Sequence, residues 1–470
     1  MRDALLQRYH ALPPALRSAA ATLRGGYLRA WRYSAETERL RDEALEREQW
    51  SAERWRAWQE ERLAFVLHRA ATRVPYYRDQ WSTRRQRGDR ASWEYIENWP
   101  VLEKEPLRQR PRAFVADDCN PARMFREHTS GTTGKSLDLW LSRETVRAWY
   151  ALYEARSRHW YGVSRRDRWA IIGGQLVTPV AQSEPPFWVW NGALRQLYMS
   201  AYHISPRVVR DYAEALRRYR VSYVLAYPSA LSAIARELLA QGIDAPALTV
   251  AIMNAEPVHD HQRAVIAEAF GCPVRENYGM SEIVAAATEC EHGHLHLWPE
   301  IGWLEVMEDG RAAAPGTAGD FIATGLLNAD MPLIRYRVGD RGARDAGAAP
   351  CACGRHLPRL AFVEGRSDDA LYTVDGRTVG RMDPVFKSRL PIREAQIIQE
   401  ALDRIRVRYV PAEEFSASDG ESIVRRVRDR LGTVNVVLEE VDAIPRSANG
   451  KFRAVVCNLS PEERAWARSR

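Results

Sequence analysis

Between residues 169 and 277 this chain alternates short apolar runs with amphipathic stretches, and that alternation narrows the choice of architecture. Residues 169–172 form an apolar run that ends at Gly173-Gly174. Residues 222–226 lead into a Tyr-Pro-Ser turn and a helical stretch closed by Gly242. Residues 248–253 precede a helix near 258–269, and 274–277 form a fourth run. Strand and helix in strict alternation argue for α/β layers with much parallel sheet. In open α/β sheets, ligands bind beyond the carboxyl ends of the strands, so the loops after these runs are where chemistry is expected.

The flanking sequence reads differently. From residue 1 to about 100, Leu40, Ala44, Trp50, Trp55, Trp58, Leu63, Val66 and Leu67 recur at helical spacing among Arg and Glu. Leu137, Leu139 and Leu141 alternate as in a strand, with Ser142 as N-cap of a helix reaching about Trp160. Residues 301–345 read as β-hairpins. After them a smaller unit carries strands near 371–374, 405–410 and 434–441 and a helix near 421–431. The expected organisation is a helical region over 1–124, an α/β core with a β subdomain over 125–364, a junction at 365–369 and a C-terminal domain over 370–470.

Bulk properties exclude several classes. A chain of 470 residues with 46% hydrophobic content and 16 Trp is not largely disordered. No stretch approaches the roughly 20 apolar residues that span a bilayer. The N-terminus lacks an apolar signal-peptide core, so a cytoplasmic location is expected. The net charge of +7 comes from Arg interleaved with Glu, which reads as a mixed solvated surface; nucleic acid is not expected as a partner. Arg84-Arg85-Gln86-Arg87 is short, and peripheral contact with an anionic membrane stays open.

Two basic loops stand far apart. Thr129-Ser130-Gly131-Thr132-Thr133-Gly134-Lys135 combines hydroxyls, unobstructed N–H groups and a cation, a combination suited to phosphates. It lacks the first Gly of a Walker A loop, and no G-x-G-x-x-G occurs. Near the C-terminus, Ile444-Pro445-Arg446-Ser447-Ala448-Asn449-Gly450-Lys451 sets one lysine on a turn. The six cysteines include Cys351 and Cys353, too close for easy mutual bridging and better read as metal ligands. Upstream runs Cys290-Glu291-His292-Gly293-His294-Leu295-His296. Cys290, His296, Cys351 and Cys353 would make a closed tetrahedral zinc site, with His292 as the rival ligand and free thiols as the alternative.

Further motifs follow in order: Asn254-Ala255-Glu256-Pro257, Asn277-Tyr278-Gly279-Met280-Ser281-Glu282, Tyr336-Arg337-Val338-Gly339-Asp340 and Gly365-Arg366-Ser367-Asp368-Asp369. With the two basic loops they resemble the signature of the adenylate-forming ANL superfamily. More narrowly, they resemble the phenylacetate–CoA ligase family and its capsule-biosynthesis-associated branch, over about residues 70–456. The resemblance implies a large N-terminal adenylate-forming α/β domain with a helical N-terminal extension and a smaller mobile α+β C-terminal lid domain. It implies ATP and Mg²⁺, a structural Zn²⁺, a small carboxylic acid substrate and CoA as acyl acceptor. Residues 129–135 would hold the leaving pyrophosphate. Ala255, Glu256 and Pro257 would lie along the adenine, with Asn277, Tyr278, Gly279 and Ser281 beside it. Glu282 would bind Mg²⁺, Asp340 the ribose, and Arg366 the ribose or phosphates. Asp368 would be the hinge, and Lys451 would bridge the carboxylate and the α-phosphate.

The sequence also departs from that pattern. Where the family has a glycine beside which pantetheine passes, Gly376 reads as part of an Asp-Gly hairpin turn and does not clearly match that motif, and the Asn-Val-Phe-Pro stretch of aryl-CoA ligases is missing. An amine, a sugar hydroxyl or a carrier thiol stays open as acceptor, giving an amide- or ester-forming ligase. A non-catalytic assembly protein and an ADP-releasing phosphotransferase are the readings from other classes. Tyr227 is the acyl-pocket candidate, with Trp188, Trp190, Tyr198 and Tyr202 able to line the pocket or fill core.

Overall fold

A computed structural model describes residues 7–128, 137–179, 181–347, 350–366, 371–374, 378–379, 382, 385–386, 390–446 and 452–468. Contacts divide the chain into two compact units. One comprises Met1–Val338 with Ala343–Phe362, the other Gly339–Gly342 with Val363–Arg470.

After helical residues 7–10, the larger unit continues with α1 (Pro14–Arg32), α2 (Ala35–Arg47), α3 (Ala52–Arg73) and α4 (Pro75–Gln86). Their ends follow local chemistry. Ser51 Oγ accepts from Arg54 N at the start of α3. Val74 both ends α3 and caps α4, whose first residue is Pro75, where a missing N–H costs nothing. Val74-Pro75 is therefore a corner between two helices. A short α5 (Lys104–Gln109) follows, then the hairpin β1 (Phe125–His128) and β2 (Asp138–Leu141), paired antiparallel. Helix α6 (Arg143–Ser157) begins with the expected Ser142 cap, its hydroxyl accepting from Thr145 N at 3.2 Å.

The central sheet has thirteen strands. These are β3 (Trp169–Gly173), β4 (Trp188–Asn191), β5 (Gln196–Ser200), β6 (Tyr223–Ala226), β7 (Val250–Asn254), β8 (Val274–Gly279), β9 (Ala286–Glu289), β10 (Leu295–Leu297), β11 (Gly302–Glu308), β12 (Arg311–Ala312), β13 (Gly319–Gly325), β14 (Tyr336–Arg344) and β15 (Arg359–Arg366). Their spatial order is β12-β11-β13-β14-β15-β10-β9-β8-β7-β6-β3-β5-β4. Strands β8, β7, β6, β3 and β5 are parallel, as the alternation predicts, and β4 closes that edge antiparallel. Side chains divide with period two. Ala170, Ile172, Val224, Ala226, Ala251 and Met253 enter the core under α7 (Val209–Arg218), α8 (Pro228–Ala240) and α9 (Asp260–Phe270). Trp169, Tyr223, Leu225, Val250 and Ile252 point to the other face, where Tyr153 of α6 packs. Strands β4 and β5 fall where the sequence pattern marks none.

The smaller unit is a four-stranded sheet of order β20-β19-β18-β21. It is built from β18 (Ile392–Ala401), β19 (Arg404–Pro411), β20 (Asn435–Glu440) and β21 (Val455–Cys457), with the two-stranded pair β16 (Leu371–Tyr372) and β17 (Thr378–Val379). Ile397, Ile405 and Val407 are buried with Ile423, Val427 and Leu431 of α10 (Ala417–Leu431), and α11 (Pro461–Arg468) ends the chain. The Gln399 side chain locks β16, accepting from Tyr372 N at 2.9 Å and donating to its carbonyl at 2.7 Å. No helix among the described residues is long and apolar enough to cross a membrane.

Candidate active site and metal cluster

The parallel strands β3, β6, β7 and β8 end at Gly173, Ala226, Asn254 and Gly279. Three of the sequence-nominated segments leave from those ends. Ala255 turns the chain out of β7 with φ of 67°, a left-handed conformation rare for a residue with a Cβ. Glu256 then accepts from Ser229 N and Ser229 Oγ, both at 3.0 Å, at the first turn of α8. An anion there satisfies orphan N–H groups and complements the helix dipole. The loop is thereby stitched to α8, which fixes where Asn254 and Pro257 fall.

Asn277 Nδ2 donates to Ser157 Oγ at 2.7 Å. Also on β8, Tyr278 meets Phe321 edge-on at 5.9 Å between ring centroids. Glu282 is held by a buried phenol: Tyr336 Oη donates to Glu282 Oε1 at 2.8 Å. That bond leaves the second carboxylate oxygen for another partner, as a Mg²⁺ ligand requires. Asp340 lies on β14 and Arg366 ends β15. Thr129 to Lys135, Asp368 and Lys451 lie outside the described residues.

On the α6 face of the sheet lies a cavity of about 740 Å³ that reaches Asn254, Ile171 and Leu225. Tyr198 lines it. Trp188, Trp190 and Tyr227 pack instead against the core of the opposite face, and Tyr202 Oη donates to the Gly174 carbonyl at 3.1 Å.

The four nominated metal ligands come together. The ligand atoms of Cys290, His296, Cys351 and Cys353 all lie within 4.8 Å of one another. Cys290 Sγ is 3.7 Å from Cys351 Sγ, and Cys353 Sγ is 3.4 Å from His296 Nε2. Tetrahedral zinc with thiolates at about 2.3 Å spaces its ligands by roughly 3.8 Å, so the set fits. Left-handed Gly293 and Gly354 make the two turns, with Gly293 N donating to the Cys290 carbonyl and Gly354 N to that of Cys351. His296 Nδ1 lies 3.3 Å from the Leu357 carbonyl, the partner that leaves Nε2 for a metal. Burial pushes the His296 imidazole down to about 4, so it stays in the neutral, ligating form. The rival His292 is exposed and outside the group.

Behind the cluster sits a buried charge network that the sequence does not signal. Fully buried Arg156 of α6 makes a two-pronged bond to Glu300, both contacts 2.7 Å. Glu48, next to Arg156, accepts from Trp160 Nε1 at 2.7 Å and pairs with Arg355 at 3.4 Å. Arg355 in turn stacks over Trp160, whose ring meets His296 edge-on. The cysteine-bearing turns are thus tied to α6 and to the end of α2 through charges that read, in sequence, as ordinary surface residues.

These features have counterparts among known proteins. Residues 371–458 match the CapK C-terminal domain family. The chain is 26% identical over 373 residues to Protein CapK of Staphylococcus aureus, spanning 77% of this chain and 80% of that one. It is 25% identical over 454 residues to the phenylacetate-coenzyme A ligase of Thermus thermophilus, spanning 86% and 96%. A crystal structure of 2-hydroxyisobutyryl-CoA ligase in the postadenylation state, in complex with R3-HIB-AMP, superposes with a TM-score of 0.67 at 22% identity, over 90% of this chain and 94% of that one. The fold is that of the adenylate-forming coenzyme A ligases. Within it, the chain is a homologue of Protein CapK and of the phenylacetate-coenzyme A ligases, and its smaller unit is similar to the CapK C-terminal domain.

Proposed function

We propose that this chain activates a carboxylic acid with ATP, releasing pyrophosphate and forming an acyl-adenylate, and then transfers the acyl group to coenzyme A. The observation that carries the reading is that the 254–257 and 277–282 motifs stand at the carboxyl ends of the parallel strands β7 and β8, with Glu282 oriented by Tyr336. Attack of a carboxylate on the α-phosphate must overcome like-charge repulsion, so positioning and electrostatics do most of the work. Mg²⁺, when bound, would neutralise charge on the phosphates, and Glu282 would hold it. Asp340 accepts the ribose hydroxyls, residues 129–135 grip the leaving pyrophosphate, Tyr278 faces the adenine and Lys451 serves the first half-reaction. Asp368 is the hinge of a C-terminal domain that changes position between the two steps. A structural zinc on Cys290, His296, Cys351 and Cys353 completes the assignment, in an enzyme working in the cytoplasm.

The test is pyrophosphate release across a panel of carboxylic acids, with and without coenzyme A or amines. Acid-dependent pyrophosphate and AMP are expected, with an acyl-CoA product when coenzyme A is present. ADP in place of AMP would point to a phosphotransferase, and an amide without thioester would move the acceptor. Elemental analysis of purified protein should return about one zinc per chain, matching one four-ligand site.

A further inference from the structure

The cavity on the α6 face has an unusual charge balance. Six arginines line it: Arg29 and Arg32 from α1, Arg158 after α6, Arg165 and Arg166 before β3, and Arg195 before β5. Among the described residues, no aspartate or glutamate lines it. Two of the six are matched from outside the wall, Arg158 by Glu154 at 2.9 Å and Arg165 by Glu38. Arg166 is mostly exposed and 3.8 Å from Glu38, which Arg165 already occupies. Arg29, Arg32 and Arg195 have no ion-pair partner among the described residues. Arg32 lies over the Tyr150 ring at 4.4 Å, and Arg195 donates to the Arg166 carbonyl at 2.6 Å. The wall therefore keeps an excess of positive charge, with Arg32 half-buried and Arg29, Arg166 and Arg195 exposed at its rim, where salt screens them in part.

Other polar groups in the wall are also unsatisfied. Arg158 is 2% exposed and its Nε has no hydrogen-bond partner, and neither has Oε1 of buried Gln196. Tyr33, Tyr150, Tyr153 and Tyr198 add hydroxyls between the arginines, and Trp149 and Trp169 supply flat apolar surface. A recess of cations, phenols and indoles suits an anion on an elongated or ring-bearing scaffold.

The strand register gives the cavity a direction. Trp169 pairs with Tyr223, and Tyr223 with Val250, so all three stand at one level of the sheet. Asn254 lies four residues further along β7 on the same face, about 13 Å away at roughly 3.3 Å per residue. Asn254 opens the loop at the carboxyl edge, where activation takes place on the reading above. Arg166 and Arg195 adjoin the opposite level, next to Trp169, whose N donates to the Arg195 carbonyl at 3.1 Å.

We propose that the acid activated by this chain is a dianion: one carboxylate reacts near Asn254, and a second anionic group, carboxylate or phosphate ester, is held by the arginines at the far end of the cavity. This specificity rests on the carboxylate-activation reading. It gives the N-terminal helix α1 a direct part in substrate choice, through Arg29 and Arg32.

The experiment compares matched acids that differ only in the distal group: decanoate against decanedioate, and phenylacetate against its para-carboxy and para-phosphate derivatives. Wild-type protein should favour the dianion in kcat/KM for pyrophosphate release by at least about tenfold, the scale of one charge-assisted hydrogen bond. The double variant R32Q/R195Q should bring that ratio towards one. Calorimetric titration of decanedioate into the protein without ATP should give salt-sensitive binding, weaker by a similar factor in the variant. A wild-type ratio at or below one, or a ratio the variant leaves unchanged, overturns the proposal while leaving carboxylate activation standing. If no acid releases pyrophosphate, the activation reading fails, and the titration alone then decides whether the cavity binds dianions. The preferred dianion class separates a carboxylate from a phosphate site.

Discussion

Glu38 faces three guanidinium groups. Burial pushes its carboxyl up, but the hydrogen bond from Arg165 and the charges of Arg165, Arg41 and Arg166 outweigh it and hold the group below its usual range. As pH falls, the unfolded chain takes up this proton first, so the stabilisation is present above the ordinary carboxylate value and lost as pH drops through the folded one. Replacing Glu38 with Gln should lower the melting temperature at pH 7. The gap should close below about pH 4, read by thermal melts of both proteins across pH. A gap that persists unchanged into acid would mean that packing, not charge, is what the glutamate contributes. At the proposed active site the informative change is Tyr336→Phe, which deletes one hydroxyl from a buried ring. It should lower pyrophosphate formation by about tenfold or more, the worth of a hydrogen bond to a charged group, and weaken the apparent affinity for Mg²⁺. An undiminished rate would make the phenol irrelevant to Glu282. Tyr336 stood inside a motif quoted from sequence, yet its bond to Glu282 needed the fold, because 54 residues separate the partners.

Helix α1 is the element that sequence most understates. It lies along the edge strand β4 and satisfies exposed backbone donors there: Trp190 N donates to Ser18 Oγ at 3.3 Å and Gly192 N to Thr22 Oγ1 at 3.0 Å. Gly25 comes next on that face, and a Cβ placed on it would sit 2.6 Å from Asn191 Cγ. Alanine would gain about 1 kcal/mol of helix propensity, but Asn191 is buried and has little room to give, and overpacking costs about 1–3 kcal/mol. Gly25→Ala should therefore be net destabilising, and by shifting α1 it should also reduce discrimination between dianionic and monoanionic acids. A more stable protein with selectivity intact would show that the close approach is relieved without moving the helix. The same element scale separates what could be read in advance. The parallel strands announced themselves because both faces are buried and their runs are apolar. Strand β18, by contrast, reads Ile-Arg-Glu-Ala-Gln-Ile-Ile-Gln-Glu-Ala, rich in helix formers. Only pairing on both sides, to β19 and β21, with Ile397 fully buried, makes it a strand.

At the scale of the whole molecule, the chain divides into two units and passes between them at 338/339, 342/343 and 362/363. Motifs whose roles depend on local backbone, such as the turn after β7, were legible because loop chemistry and neighbouring strands are contiguous in sequence. The arginine cavity was not, since its wall gathers side chains from residues 29–32, 158–166 and 195, each an ordinary solvated arginine by itself. Lys451 follows the smaller unit's strand β20 in sequence, whereas Glu282 belongs to the larger unit. If the lysine serves only the step in which carboxylate meets the α-phosphate, the two half-reactions should respond differently to its loss. Lys451→Ala should depress acid-dependent pyrophosphate release by about a hundredfold or more, as removal of one preorganised transition-state contact does. The same variant should still convert a supplied acyl-adenylate and coenzyme A to thioester within a few-fold of wild type. Equal loss in both assays would mean that the lysine supports the smaller unit's structure or acts in both steps, and unimpaired adenylation would remove it from the first. Because each assay bypasses the other, the pair distinguishes a division of labour between units from a single site that merely spans them.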